Sequence, residues 1–300
     1  MSRQVNTPEA GSPAPTIQDL LRHATDVLKA TSESARLDAE LLLAECLGVS
    51  RTHLYTWPER QVDAPARARL DALMAERRRG RPIAQILGRQ GFHSLELTVT
   101  DATLIPRPET ELIVDLALEM LQGTNRPRVL DLGAGSGAIA VAVAHHRPDA
   151  LVDAVELSDR AAAVARQNAA RHGLSNLHVH TGSWFEPVGG TRYEAIVANP
   201  PYVAESERAL TSPGTRHEPR EALYAAEDGL AALRAICAAA PGHLQPGGWL
   251  ILEHGFRQGG AVRGLLQAAG FEDIASHRDL AGHDRATRGR HPWAAEEPEA

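Results

Sequence analysis

At 300 residues the chain is long enough for a sizeable core and for two domains, and its 43% hydrophobic and 23% charged content is that of a soluble globular protein. A formal net charge of −7, with Lys29 as the only lysine, argues against broad binding to a phosphate backbone. Cys46 and Cys237 lie far apart without metal-ligand spacing, no apolar run reaches the ~18 residues of a membrane span, and the N-terminus lacks a signal pattern. These features predict reduced thiols, no metal site and a cytoplasmic protein.

Residues 1–15 carry Pro, Gly, Ser and Thr without periodicity and read as a disordered leader. From Thr16 the pattern is helical. Thr16 can cap a first helix through Leu20, Leu21 and Leu28. A second carries Leu37, Leu41, Leu42, Leu43 and Leu47 and stops at Gly48. A third spans about Pro65 to Arg79 and ends in the basic run Arg77-Arg78-Arg79-Gly80-Arg81. That run suits the negative end of a helix dipole, and contact with a partner or RNA stays open. Residues 16–90 thus form a small helical domain. Residues 91–105 change period, and Phe92, Leu95, Leu97, Val99 and Leu104 are spaced for a β-hairpin linker. Pro106-Arg107-Pro108-Glu109-Thr110-Glu111 then opens a helix over Leu112–Leu121. The acidic residues suit its first turn, but that leaves Arg107 between two prolines unexplained.

The remainder, 106–290, alternates strand and helix. Strands are predicted at Arg128–Leu132, Leu151–Leu157, Leu177–His180, Tyr193–Ala198, Trp249–Glu253 and near Ile274. Helices are predicted at Ala138–His146, Ala161–His172, Gly229–Ala240 and Ala261–Ala269. The alternation implies an α/β, mainly parallel, doubly wound sheet. Residues 291–300 read as a frayed acidic tail.

Two loops of this domain carry chemistry. Gly133-Ala134-Gly135-Ser136-Gly137 joins the first strand to its helix, where glycines let backbone N–H groups approach a ligand. Alone it fits a dinucleotide, S-adenosylmethionine or a tight turn. Glu156, late in the second strand, can bond ribose hydroxyls, and the spacing leaves a dinucleotide open. Trp184 after the third strand can stack on adenine, with Ser183 beside it. Asn199-Pro200-Pro201-Tyr202 follows the fourth strand, at the sheet edge where open α/β sheets bind ligands. The Asn199 amide oxygen and the Pro200 carbonyl can take the two hydrogens of a planar NH₂ group, and Tyr202 adds a flat face. His254 after the next strand is a conceivable base, but a lone histidine there is more often structural.

The segments "DLGAGSG", "AVELSDRAAAVARQNA" and "VANPPYV" resemble class I S-adenosylmethionine-dependent methyltransferases acting on planar amines. "ATLIPRPETE", "HEPREALYAAEDGL", "GGWLILEHG" and "RDLAGHDRATRGR" narrow the likeness to the release factor glutamine methyltransferases, the HemK/PrmC family. It covers residues 16 to 290. The resemblance implies a Rossmann-like class I methyltransferase sheet behind a helical substrate-recognition domain. It implies methyl transfer from S-adenosylmethionine to the glutamine amide of the Gly-Gly-Gln motif of class I peptide chain release factors, by a monomer, in translation termination. By position, Gly133 to Gly137 would hold the methionine part of the cofactor. Glu156 would bind the ribose, Ser183 and Trp184 would lie by the adenine, and Asn199 to Tyr202 would receive the glutamine amide. Two positions depart from the family: Glu156 and Ser183 stand where Asp is common. An adenine-specific DNA or RNA methyltransferase could use the same Asn-Pro-Pro-Tyr turn, but predicts a basic surface. A non-catalytic nucleotide-binding module or a nicotinamide oxidoreductase would leave that turn unexplained.

Overall fold

The computed structural model describes residues 14–210 and 213–293. The expected leader therefore lies, up to residue 13, outside the described residues, as does the tail from 294. The chain divides into two compact units between Leu87 and Gly88.

The first unit is helical: α1 (Ile17–Leu28), α2 (Ala35–Leu47), α3 (Arg51–Thr56), α4 (Ala64–Arg78) and α5 (Ile83–Leu87). Thr16 and Asp19 form a capping box, each side chain accepting from the other's backbone N–H. Ile17, Leu20, Leu21, Ala24 and Leu28 follow at helical spacing and are buried. Gly48 ends α2 in the left-handed region, at φ +63°. The short helices α3 and α5 add to the three expected from the apolar spacing; α3 is capped by Ser50, whose Oγ accepts from His53 N at 3.3 Å. Leu37, expected on the apolar face, is 40% exposed. Pro15 does not belong to a free leader, since its carbonyl accepts from Val62 N at 3.0 Å. The basic run is partly spent inside the unit. Arg77 Nε donates to the buried Asp38 at 2.7 Å, and Arg81 pairs with Glu76.

The second unit opens with a hairpin, β1 (Arg89–Phe92) and β2 (Leu95–Thr98). It starts earlier than predicted and ends at Thr98, so Val99 and Leu104 belong to no strand. Its turn, His93-Ser94, has both φ positive, the geometry that closes a two-residue hairpin. Then follow α6 (Glu111–Met120), β3 (Arg128–Leu132), α7 (Ala138–His146), β4 (Leu151–Glu156), α8 (Asp159–Arg171), β5 (Leu177–Thr181) and β6 (Tyr193–Ala198). Two-residue strands β7 (Val203–Ala204) and β8 (Tyr224–Ala225) pair with each other in parallel. The chain ends with α9 (Ala231–Ala239), β9 (Leu244–Glu253), α10 (Gly259–Ala268), β10 (Glu272–Arg278) and β11 (Asp284–Arg290).

The main sheet has seven strands in the order β10-β11-β9-β6-β3-β4-β5. Strands β9, β6, β3, β4 and β5 are parallel, while β11 runs antiparallel between β9 and β10. The doubly wound, mainly parallel sheet expected from sequence is present, with β11 as an additional antiparallel strand. One apolar layer joins α6 and α7 to one face of the sheet, with the hairpin residues Phe92 and Leu97. The other joins α9 and α10 to the opposite face. Residues 291–293 are docked rather than frayed. His291 N donates to Gly248 O at 2.7 Å, and a Cβ on Gly247 would meet Trp293 at 2.5 Å.

The order of strands makes a switch point. The chain leaves β3 toward β4 and β5, then returns to place β6 on β3's other side. Leu132 and Ala198 pair in register at the carboxyl ends of β3 and β6. The segments that follow them, beginning at Gly133 and Asn199, thus leave the sheet side by side, where such sheets bind ligands.

Candidate active site

A cavity of about 600 Å³ opens at this edge. Gly133, Gly135, Glu156, Ser183, Trp184, Asn199 and Pro201 all line it, so one pocket gathers seven of the residues singled out from sequence. Ala134, Ser136, Gly137, Pro200 and Tyr202 are not on its wall. Ala134 and Ser136, within the loop, are buried. Gly137 has φ +80°, and a Cβ there would sit 3.1 Å from Ala165 Cβ. This glycine therefore serves the approach of α7 to α8.

The loop is held from below. Gly133 N and Ala134 N donate to Val155 O at 2.8 and 3.1 Å. Glu156 Oε2 accepts from Gly135 N at 2.7 Å, and its Oε1 accepts from Ser158 N at 2.8 Å. The carboxylate is thus fixed at the cavity wall by the glycine loop itself. Trp184 has φ +43°, unusual for a side chain of this size, and a Cβ on Gly133 would lie 3.7 Å from its ring. Asp131, just before the loop, is buried; its Oδ2 accepts from Ala140 N at 3.0 Å, while Oδ1 has no partner among the described residues. Burial pushes this carboxyl up to about 7.

The Asn-Pro-Pro-Tyr turn is gripped at several points. Asn199 Nδ2 donates to Thr110 Oγ1 at 3.0 Å. Tyr202 O–H donates to Glu253 Oε1 at 3.1 Å, and Tyr202 O accepts from Gln258 Nε2 at 3.0 Å. Glu227, Asp228 and Gly229 follow one another with positive φ, and a Cβ on Gly229 would lie 2.1 Å from Tyr202 O. Only glycine permits that approach. Burial and the neighbouring Glu253 raise the Tyr202 pKa, so its hydroxyl stays protonated.

The structure also explains Arg107. Its guanidinium pairs with Glu218, whose side chain is 1% exposed and whose Oε2 accepts from Ile105 N at 2.9 Å. This latch joins two loops that supply part of the cavity's wall, Thr103 and Leu104 from one and Pro219 and Ala222 from the other. Thr110, Glu218 and Glu253 escaped the sequence reading. All three lie in segments quoted for the family resemblance, but nothing local marks them as partners of Arg107, Asn199 or Tyr202. His254 is fully buried; its Nδ1–H donates to Gly255 O at 2.9 Å, and Nε2 lies 2.7 Å from Thr287 Oγ1. Gly255 O can only accept, so Nε2 is the acceptor of the Thr287 hydroxyl. Burial lowers its pKa, and the ring is a structural one.

Comparison with known proteins identifies the family. The family model described as the PrmC N-terminal domain matches residues 19–88, and that of the methyltransferase small domain matches 111–212. The release factor glutamine methyltransferase of Pseudomonas aeruginosa is 50% identical over 88% of this chain and 94% of its own length. Those of Xylella fastidiosa and Vibrio cholerae are 47% and 45% identical, over 88% and 92% of this chain and 96% and 97% of theirs. Among solved structures, the hMettl16 catalytic domain in complex with a MAT2A 3′UTR hairpin aligns with a TM-score of 0.56 at 16% identity. The match covers 75% of this chain and 83% of that one; at that identity the likeness is one of fold. With near-complete coverage at these identities, the chain belongs to the release factor glutamine methyltransferase family.

Proposed function

We propose that this chain transfers a methyl group from S-adenosylmethionine to the side-chain amide nitrogen of a glutamine, that of the Gly-Gly-Gln motif of class I peptide chain release factors. The observation that carries the reading is Asn199. Its amide NH₂ is held by Thr110, which leaves Oδ1 to accept, and Asn199 lines a cavity that is also lined by the glycine loop and Glu156.

The residues present fit the cofactor. Glu156 would bind the ribose hydroxyls, because a carboxylate has about four acceptor positions and two are used here. The backbone of Gly133 to Gly137 would hold the amino-acid part, with Ser183 and Trp184 at the base. The cofactor supplies a methyl on a sulfonium sulfur, which keeps the bonding electron pair when the methyl leaves. An amide nitrogen is a poor nucleophile because its lone pair is delocalised. Asn199 Oδ1 and the Pro200 carbonyl accept its two N–H bonds, orient it and stabilise the positive charge that grows on nitrogen. The N-methylated cation is a strong acid and loses its proton to water, so no strong base is needed.

Among the described residues no helix is long and apolar enough to cross a membrane, and both cysteines are free thiols. These observations support a cytoplasmic site of action. The helical unit is assigned to contact with the body of the release factor. Its exposed Leu37, Tyr55 and Trp57 offer apolar and aromatic contact area.

The test is labelled methyl transfer to purified release factor, with duplex DNA in parallel. Mass spectrometry should place one methyl on the Gly-Gly-Gln glutamine. Asn199→Ala should cut turnover about 10²-fold or more, the usual loss for one preorganised group, at near-normal cofactor affinity. An Ala variant within threefold of wild type, or label in DNA alone, refutes the reading.

A further inference from the structure

The loop after β3 and the segment after β2 each supply part of the cavity wall, and one buried side chain ties them together. Asn168, in α8, is 0% exposed. Its Nδ2 donates to Ser136 O at 2.9 Å and to Thr98 O at 3.0 Å, and its Oδ1 accepts from Thr98 N at 2.7 Å. Ser136 lies in the glycine loop beside Gly135, which is on the cavity wall. Thr98 ends β2, and Asp101, Ala102, Thr103 and Leu104 of the segment that follows are on the wall as well.

These contacts define the side chain that is needed. Two of the partners are carbonyls, which only accept, and the third is an N–H, which only donates. The amide therefore has one orientation, with both hydrogens and the oxygen used. The Ser136 carbonyl is turned to it for a reason. The usual helical donor four residues on, Ala140 N, goes instead to Asp131 Oδ2 at 3.0 Å. Ala165, one turn earlier on α8, is the residue that a Cβ on Gly137 would meet at 3.1 Å. So α8 packs on the loop at Gly137 and hydrogen-bonds to it at Ser136. An aspartate at 168 would keep the shape and the acceptor for Thr98 N. As a carboxylate, however, it would turn an oxygen toward two carbonyls.

We propose that Asn168 is a positioning residue for the cofactor: by holding Ser136 and Thr98 at once, it sets the spacing of the glycine loop and the 99–104 segment at the cavity. This rests on the reading of the cavity as the S-adenosylmethionine site. Asn168 is not itself on the cavity wall, so its effect reaches the ligand through those two segments. The coupling is reciprocal: if loss of the bracket weakens cofactor binding, bound cofactor tightens the bracket.

The test is calorimetry with S-adenosylmethionine and transfer kinetics on wild type, Asn168→Asp and Asn168→Ala, with melting curves on each. Asn176→Asp is the control. Asn176 Nδ2 lies 3.1, 3.2 and 3.1 Å from Ala144 O, Arg147 O and Ala150 O, at the amino end of β4 and off the cavity wall. Both Asp variants should lower the melting temperature. Measured well below melting, only the Asn168 variants should lose cofactor affinity, by about tenfold or more, the effect of a hydrogen bond. KM for the cofactor should rise by the same factor. At saturating cofactor kcat should stay within threefold of wild type, because the Asn199 turn is untouched. Hydrogen exchange on the wild type needs no variant: saturating S-adenosylmethionine should slow exchange at Thr98 N by about tenfold, the same coupling seen from the other side. A folded Asn168→Asp with affinity within twofold of wild type overturns the proposal while leaving the cofactor site intact. So does an equal loss in Asn176→Asp, the mark of a general loosening. If neither Asn168 variant folds, unchanged exchange at Thr98 N on cofactor binding overturns it instead. Wild-type protein that binds no S-adenosylmethionine would remove the underlying reading and the proposal together.

Discussion

Replacing Arg107 by Ala tests whether the Arg107–Glu218 pair is a latch on the cofactor cavity. The change strands a carboxylate whose side chain is 1% exposed, leaving it, among the described residues, the Ile105 N–H at 2.9 Å. Removing one partner of a buried pair costs about 3–5 kcal/mol when the survivor stays dry. Arg107 is itself 37% exposed, so water can enter the space it leaves. That places the cost lower, at about 2 kcal/mol, or roughly thirtyfold in an equilibrium constant. Neither the 99–107 segment nor the one around Glu218 is a strand of the main sheet. The loss should therefore appear as local opening, not as global unfolding. Both segments line the cavity, so the same opening should reach the ligand. Calorimetry should show S-adenosylmethionine affinity reduced by at most about thirtyfold, the loss following the share of molecules that the opening leaves unable to bind. Hydrogen exchange should rise at Ile105, while the urea midpoint barely moves. Glu218→Gln keeps an acceptor for Ile105 N and should fall between the two. Arg107→Ala with cofactor affinity within twofold of wild type and unchanged exchange at Ile105 would refute the latch.

Three further outcomes are expected. Glu156→Ala removes a charged acceptor and should weaken S-adenosylmethionine binding by about 1.5–3 kcal/mol; calorimetry with unchanged affinity would take Glu156 out of the site. Gly229→Ala places a Cβ 2.1 Å from Tyr202 O at φ +84°, and should depress transfer more than cofactor binding, because it displaces the substrate turn and leaves the glycine loop alone. Asp131 and Glu253 have folded pKa values of about 7, above their ordinary 3.8 and 4.5. The native state therefore holds protons that the unfolded chain releases, and the stability from these groups is complete below their ordinary values and lost as pH rises through about 7. Melting temperature should fall from pH 5 to pH 8, and Asp131→Asn, which keeps an acceptor for Ala140 N, should flatten that fall.

The sequence by itself determined what short range can determine. Helical and strand periods differ, so the helical first unit and the alternating second were legible, and β3, α7 and β6 were placed with their observed limits. The Thr16 cap, the Gly48 stop and the glycine loop are likewise set by residues within a turn of one another. The parts of the candidate site were nameable for the same reason: each lies at the end of a strand or in the short segment after one. Where signals conflict, local reading failed. Strand β11, Asp284–Arg290, lacks an apolar pattern, because its inward residues are small and Arg288 and Arg290 lie over the Trp249 ring. Their aliphatic stems and guanidinium faces cover the sheet where leucines would have signalled a strand. Only the tertiary structure decided what the segments do together. The pairing of β3 with β6 brings the glycine loop beside Asn199. The same folding sets Thr110 against Asn199, Glu218 against Arg107 and Glu253 against Tyr202. These are single polar contacts between residues distant in sequence. A hydroxyl or carboxyl carries no mark of its partner along the chain, because its partner is chosen by burial: once water is excluded, each such group must find whatever donor or acceptor the packed strands present.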